Sequence, residues 1–102
     1  MGTLPLAALL LSFSAVAVQA EIAFSPAKGP HGEAAVLING AQGEMDGVGA
    51  EYDYLAAHYG DWQRGNQSVM SKDGRTFDVF ELSKGGQKMH VYFDISLFFG
   101  RD

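Results

Sequence analysis

Residues 73–95 read Asp73-Gly74-Arg75-Thr76-Phe77-Asp78-Val79-Phe80-Glu81-Leu82-Ser83-Lys84-Gly85-Gly86-Gln87-Lys88-Met89-His90-Val91-Tyr92-Phe93-Asp94-Ile95. In the last third Met89, Val91, Phe93 and Ile95 alternate with Lys88, His90, Tyr92 and Asp94. Such alternation sends successive side chains to opposite faces of a β-strand. Asp73-Gly74 and Gly85-Gly86 interrupt the pattern, and both pairs suit two-residue hairpin turns with positive φ. Three strands are therefore expected, Arg64–Ser71, Arg75–Ser83 and Gln87–Ile95, joined as an antiparallel meander.

Tight turns fix register. Gly85-Gly86 sets Glu81 opposite His90 and Phe77 opposite Asp94, and Asp73-Gly74 sets Asn66 opposite Glu81. One face then carries Val69, Phe80, Leu82, Met89, Val91 and Phe93, with Asp78 among them. The opposite face carries Arg64, Asn66, Ser68, Met70, Phe77, Val79, Glu81, His90, Tyr92 and Asp94.

Upstream the period changes. Met45, Val48, Tyr52, Leu55 and Tyr59 fall on one stripe of a helix running from about Gly47 to Tyr59. Asp46 is the expected N-cap, and Gly60 the expected left-handed stop. Glu51 and Asp53 are expected to face away from the stripe. Ala34–Ile38, closed by Asn39-Gly40, is a candidate fourth strand. Glu21–Glu33, with Pro26, Gly29, Pro30 and Gly32, reads as an extended N-terminal arm. At the other end Ser96 opens a short turn that tucks Phe98 and Phe99 under the sheet. The expected fold class is α+β, with one amphipathic helix on a three- or four-stranded antiparallel meander. Residues 34–102 form a single small domain and residues 21–33 the arm.

The chain has 102 residues, seven Lys and Arg against 12 Asp and Glu, and no Cys. That length gives one domain. The net charge of −5 and the scattered cations argue against a nucleic-acid binder. Without Cys there is no disulfide framework, thiol nucleophile or thiolate metal site. Leu4–Val18 is apolar apart from Ser12 and Ser14, too short for a bilayer span. Val18-Gln19-Ala20 supplies the small residues that signal peptidase accepts. Residues 1–20 therefore read as a signal peptide cleaved after Ala20, and the expected location is periplasmic or secreted, with no membrane attachment after cleavage. No Lys or Arg precedes the apolar run.

The row Asn66–Glu81–His90 is the one constellation with acid–base chemistry. Opposed side chains on neighbouring strands lie about 5 Å apart at Cβ, so Glu81 and His90 can meet as a general-base pair. No nucleophile or metal set accompanies them, and Asp94 lies roughly 13 Å along the strand from His90. An ordinary cross-strand pair is the simpler reading. Trp62, Phe77 and Tyr92 are the candidate binding residues, as aromatic anchors for a partner. Tyr52, Tyr54, Tyr59 and Trp62 can line a groove or complete the core. His58 suits the negative end of the helix, and His31 a solvated loop. Neither a metal nor a cofactor is expected.

Three pieces of the chain carry a resemblance. They are Glu51-Tyr52 through His58-Tyr59-Gly60, Phe77-Asp78-Val79 after the Asp-Gly turn, and the ending Val91-Tyr92-Phe93-Asp94-Ile95-Ser96-Leu97-Phe98-Phe99-Gly100. Glu51 to Arg101, about half the chain, resembles a group of short, exported, uncharacterised bacterial proteins with such an ending. That group implies no activity and no catalytic residue. The helix-plus-strands layout is also similar, in topology alone, to small periplasmic PepSY-type modules, which implies binding or restraint of a partner.

The leading expectation is a non-enzymatic binding or interaction module that takes a protein or peptide by edge-strand or aromatic contacts. The edge strand Arg64–Ser71 is the natural place for addition unless Ala34–Ile38 covers it. The alternatives are a small enzyme using Glu81 and His90, which requires the pair to converge in a concave site, and a structural envelope protein.

Overall fold

The computed structural model describes residues 21–101. The signal-peptide reading of residues 1–20 lies outside them. The fold is α+β: strands β1 (Ala23–Lys28) and β2 (Ala34–Asn39), helix α1 (Glu44–Tyr59), then β3 (Gln63–Lys72), β4 (Arg75–Lys84) and β5 (Gln87–Asp94). The sheet has five strands in the order β1-β2-β5-β4-β3. It is mixed, because β2 runs parallel to β5 while every other pair is antiparallel. The meander is thus the C-terminal part of a larger sheet. The segment 21–33 is part of the domain, since β1 pairs along its whole length with β2. The candidate fourth strand pairs with β5, so β3 remains an open edge.

The β4–β5 register is the expected one, from Lys84 opposite Gln87 to Phe77 opposite Asp94, with Glu81 opposite His90. The β3–β4 register holds from the turn as far as Gln67 opposite Phe80, and then slips. Arg64 pairs with Leu82, so Gly65 and Asn66 share Glu81 across a β-bulge. The expected opposition of Asn66 alone to Glu81 does not form. The extra residue also turns Arg64 to the helix side, where its guanidinium lies 5.0 Å from the Tyr52 ring centroid. At the turn Asp73 and Gly74 both take positive φ, 53° and 78°.

Phe80, Leu82, Val91 and Phe93 form the sheet side of the core, with Ile38, Ala50, Leu55, Ile95 and Phe98. The helix meets them on a different stripe from the expected one. Gly47, Ala50, Glu51 and Leu55 are buried, whereas Met45 is 91% exposed and Tyr52 40%. The contact face is rotated by about 100°, one residue step. Close approach is the reason: Phe98 fills the space that a side chain at position 47 would occupy. The helix begins at Gly43 without a side-chain cap. Asp46 lies one turn inside and reaches back, its Oδ2 accepting the Gln42 N–H at 3.1 Å. Gly60 is right-handed, φ −63°, and its lack of a side chain matters because a Cβ there would stand 2.8 Å from the Ala56 carbonyl oxygen.

Asp94 fastens the C-terminal turn. Its Oδ1 accepts from the Ser96 N–H at 3.0 Å and the Ser96 hydroxyl at 2.6 Å, while Oδ2 accepts from Arg75 at 3.0 Å. Ser96 Oγ in turn accepts the Thr76 N–H. The chain then coils through Phe98 N–H to Ile95 C=O and Arg101 N–H to Phe98 C=O. Phe98 is 1% exposed, and Phe99 points outward at 47%. One of the two rings is tucked in, and its burial contributes about 2–3 kcal/mol.

The face away from the helix is not open either. Phe77 and Val79 are buried there, as is Ala35. The β1–β2 turn folds over this face with Gly29 and Pro30 buried. Arg75 links the layers by donating to the Lys28 carbonyl while its guanidinium lies 4.7 Å from the Phe77 ring centroid. Lys72 Nζ meets His31 Nδ1 at 3.3 Å.

Candidate functional site

The parallel pairing of β2 with β5 covers only Val36 with Phe93 and Leu37 with Asp94. Toward the start of β5 the two strands part, because the β1–β2 hairpin swings across the outer face. A hollow of about 530 Å³ opens there, within the usual range for ligand sites. It touches four consecutive residues of β5, Met89, His90, Val91 and Tyr92, and three of β2, Ala34 to Val36. A cavity resting on a sheet face touches alternate residues; contact with consecutive ones places it on the strand edge. The hollow therefore runs along the side of β5 that β2 leaves unpaired.

Tyr54, His58 and Tyr59 from the last two turns of α1 form one wall, and Phe24, Ser25 and Pro26 of β1 form the other. The helix period brings Tyr54 and His58 onto one face, with ring centroids 4.1 Å apart. Phe24 closes against Tyr54 at 5.0 Å, and Tyr54 meets Phe93 edge-on at 5.5 Å. Burial, and then the neighbouring Tyr59, pushes the Tyr54 hydroxyl above its ordinary pKa. Among the described residues the lining contains no Asp, Glu, Lys or Arg.

Tyr92 stands at the outer rim. Partial desolvation, then the facing Glu33 carboxylate, raises its pKa. Desolvation pulls the Glu33 carboxyl upward, but N–H groups of Glu33 and His31 and the Tyr92 hydroxyl outweigh it and hold the carboxyl below its ordinary value. The His31 N–H donates to Glu33 Oε1 at 2.6 Å.

Glu81 and His90 are opposed in register, yet among the described residues no ion pair joins them. Glu81 Oε1 reaches to 3.0 Å from where a Cβ on Gly65 would lie, across the bulge toward β3. The His90 ring neighbours Tyr92 two residues along the same face of β5, centroids 6.3 Å apart. Asn66 is exposed in the bulge. The three expected acid–base candidates are neighbours on a sheet and do not converge. Among the binding candidates Tyr92 lines the hollow. Trp62 is half-buried against the core, meeting Tyr59 edge-on at 6.5 Å, with Lys84 Nζ 5.9 Å from its ring centroid. Phe77 is fully buried and offers no partner surface, because the β1–β2 turn and Arg75 cover its face.

A second pair of acids was not anticipated. Glu51 is fully buried and Asp78 is 4% exposed, facing each other between α1 and β4. Neither Glu51 oxygen has a hydrogen-bond partner. Burial, and then Asp78, pushes the Glu51 carboxyl up to about 10, so it is neutral at pH 7. Neither residue lines the hollow beside β5. Among the described residues no group of three or more His, Cys, Asp and Glu is placed to hold a metal, and no helix is long and apolar enough to cross a membrane.

No family model, curated protein or solved structure matches the chain. The functional reading therefore rests on the hollow and its residues.

Proposed function

We propose that the chain is a small exported interaction module, without catalysis of its own, that takes an extended peptide segment along the open edge of β5. The carrying observation is the 530 Å³ hollow, edge-on to Met89–Tyr92 and walled by Tyr54, His58 and Phe24. An unpaired strand edge offers main-chain donors and acceptors in the spacing of another strand, and flanking apolar walls take alternate side chains. β3 is also an edge, but nine of its ten residues are exposed, so it offers the ladder without walls. The acid–base alternative is disfavoured because Glu81 Oε1 lies against Gly65 and, among the described residues, no ion pair joins it to His90. Export rests on the apolar run Leu4–Val18 and the Val18-Gln19-Ala20 site.

Titration of the ¹⁵N-labelled protein with a randomised pool of short uncharged peptides tests the reading. The expected result is shift changes and slowed amide exchange at Met89–Tyr92 and Phe24, reduced in His58→Ala. Changes confined to β3, or none at saturating peptide, overturn it.

A further inference from the structure

Phe24 is shared between two hollows. One side faces the cleft described above. On the other side a second hollow of about 390 Å³ lies between β1 and the first half of α1, lined by Ile22, Met45, Asp46, Gly49 and Asp53. Its three large apolar members are exposed, Ile22 at 37%, Phe24 at 39% and Met45 at 91%, while Ala50 at its floor is buried. A side chain as open as Met45 is a soft anchor that adapts to what covers it. Asp46 and Asp53 are both exposed at this hollow, and among the described residues its lining holds no Lys or Arg.

The two hollows follow the flank of α1 from Met45 to Tyr59, about 21 Å at the helical rise. An extended peptide covers that span with about six residues. Polarity changes along the way. The first half has two carboxylates and no cation, and the second half has His58 and His90 and no carboxylate.

We infer that the peptide taken by this module carries Lys or Arg at the end lying against Asp46 and Asp53, and apolar side chains at the end entering the aromatic cleft. The inference rests on the peptide reading above and adds length, polarity and direction to it. Charge complementarity selects the occupant: a neutral apolar strand would leave both carboxylates beside an apolar surface with no counter-charge, and an acidic one would meet repulsion. Gly49 leaves the middle of the flank open, since nothing lies within 4 Å of where its Cβ would be.

Three synthetic peptides of about eight residues test this. They share one run of alternating valine and threonine and begin with two lysines, two serines or two glutamates. Binding is read by ¹⁵N shift mapping and fluorescence anisotropy, using the mature protein and Asp46→Asn/Asp53→Asn. Asparagine keeps the acceptor that Gln42 N–H uses, so the helix start is retained. The lysine peptide is expected to bind about fivefold more tightly than the serine peptide, the margin given by two exposed ion pairs. That margin should vanish in the double variant and shrink as salt is raised. Equal affinity for all three peptides, with shifts at Met89–Tyr92, overturns the charge inference and leaves the cleft reading standing. No binding by any of them, and no shift at Met89–Tyr92, overturns both.

Discussion

A Cβ built on Gly47 would stand 2.2 Å from the Phe98 ring. The first turn of α1 and the C-terminal turn are therefore fitted to each other at a glycine. Two further contacts fasten the same junction: the Glu44 N–H donates to the Arg101 carbonyl at 3.0 Å, and the Gly100 N–H to Glu44 Oε2 at 3.2 Å.

Gly47→Ala sets two effects against each other. Alanine favours the helix by about 1 kcal/mol. Forcing a methyl into a buried ring costs about 1–3 kcal/mol or more, and at this depth of overlap the ring must move. The expected net effect is destabilisation by about 1–2 kcal/mol, read as a lower urea midpoint. Gly47→Ala combined with Phe98→Leu should be more stable than the two single changes predict, because the smaller side chain yields the space. Strict additivity would show that the two positions do not share it.

Glu51 is expected to make stability fall as pH rises. Its carboxyl is held near 10 in the fold against about 4.5 in the unfolded chain. The folded state therefore keeps a proton that the unfolded state has released. The stability of the protonated form is fully present below about 4.5 and is lost progressively as pH rises toward 10. Glu51→Met removes two unpartnered oxygens at similar volume and should raise stability at pH 7 by about 1–3 kcal/mol. It should also flatten the slope of urea midpoint against pH above 5. A variant with the same slope as the parent would contradict this assignment.

Asp94 works in the opposite sense. Burial pushes its carboxyl up, but the Ser96 hydroxyl and N–H together with Arg75 outweigh it and hold the pKa below the ordinary value. Its stabilisation is therefore present above the unfolded value of 3.8 and is lost as pH falls through the lower folded value. Asp94→Asn keeps an acceptor for Ser96 and gives up the ion pair with Arg75. It should cost about 1–3 kcal/mol and speed amide exchange at Ile95, Phe98 and Phe99 before it affects β4. Uniform acceleration across the sheet would show that Asp94 does not act through the turn.

The meander was legible because its signals are local. Asp73-Gly74 and Gly85-Gly86 name their turns, and alternation from Met89 to Ile95 names the face, so the Glu81–His90 opposition follows from counting. The helix was legible in place but not in rotation. Met45 and Tyr52 look like a stripe by hydropathy, whereas the contact is made through Gly47 and Ala50, whose small size permits approach. Helical spacing puts Glu51 off the stripe of Met45, Val48, Tyr52, Leu55 and Tyr59, so the same rotation of the contact face that buries Gly47 and Ala50 buries Glu51. The fold buries it protonated: burial does most to raise its pKa and Asp78 adds to it, and the facing of Glu51 and Asp78 across the core is a long-range contact. The cleft was hidden for the same reason: it exists because β2 joins β5 parallel for two residues and then departs. Pro26 and Pro30 read as loop signals and obscured both β1 and the turn that covers Phe77.

The bulge at Gly65-Asn66 yields the last prediction. Arg64 already faces Leu82 and Gln67 already faces Phe80, so deleting Asn66 leaves one residue opposite Glu81 and flips no neighbour. The shortened chain should fold, with Arg64 still over Tyr52. What it loses is the kink that interrupts a ten-residue edge. Bulges and charges are the usual devices that stop such edges from pairing with other chains. The deletion should therefore keep the near-ultraviolet spectrum while light scattering shows concentration-dependent self-association that the parent does not show. Loss of the folded spectrum would mean instead that the bulge is required to seat Gly65 against Glu81, and that the edge is protected in another way.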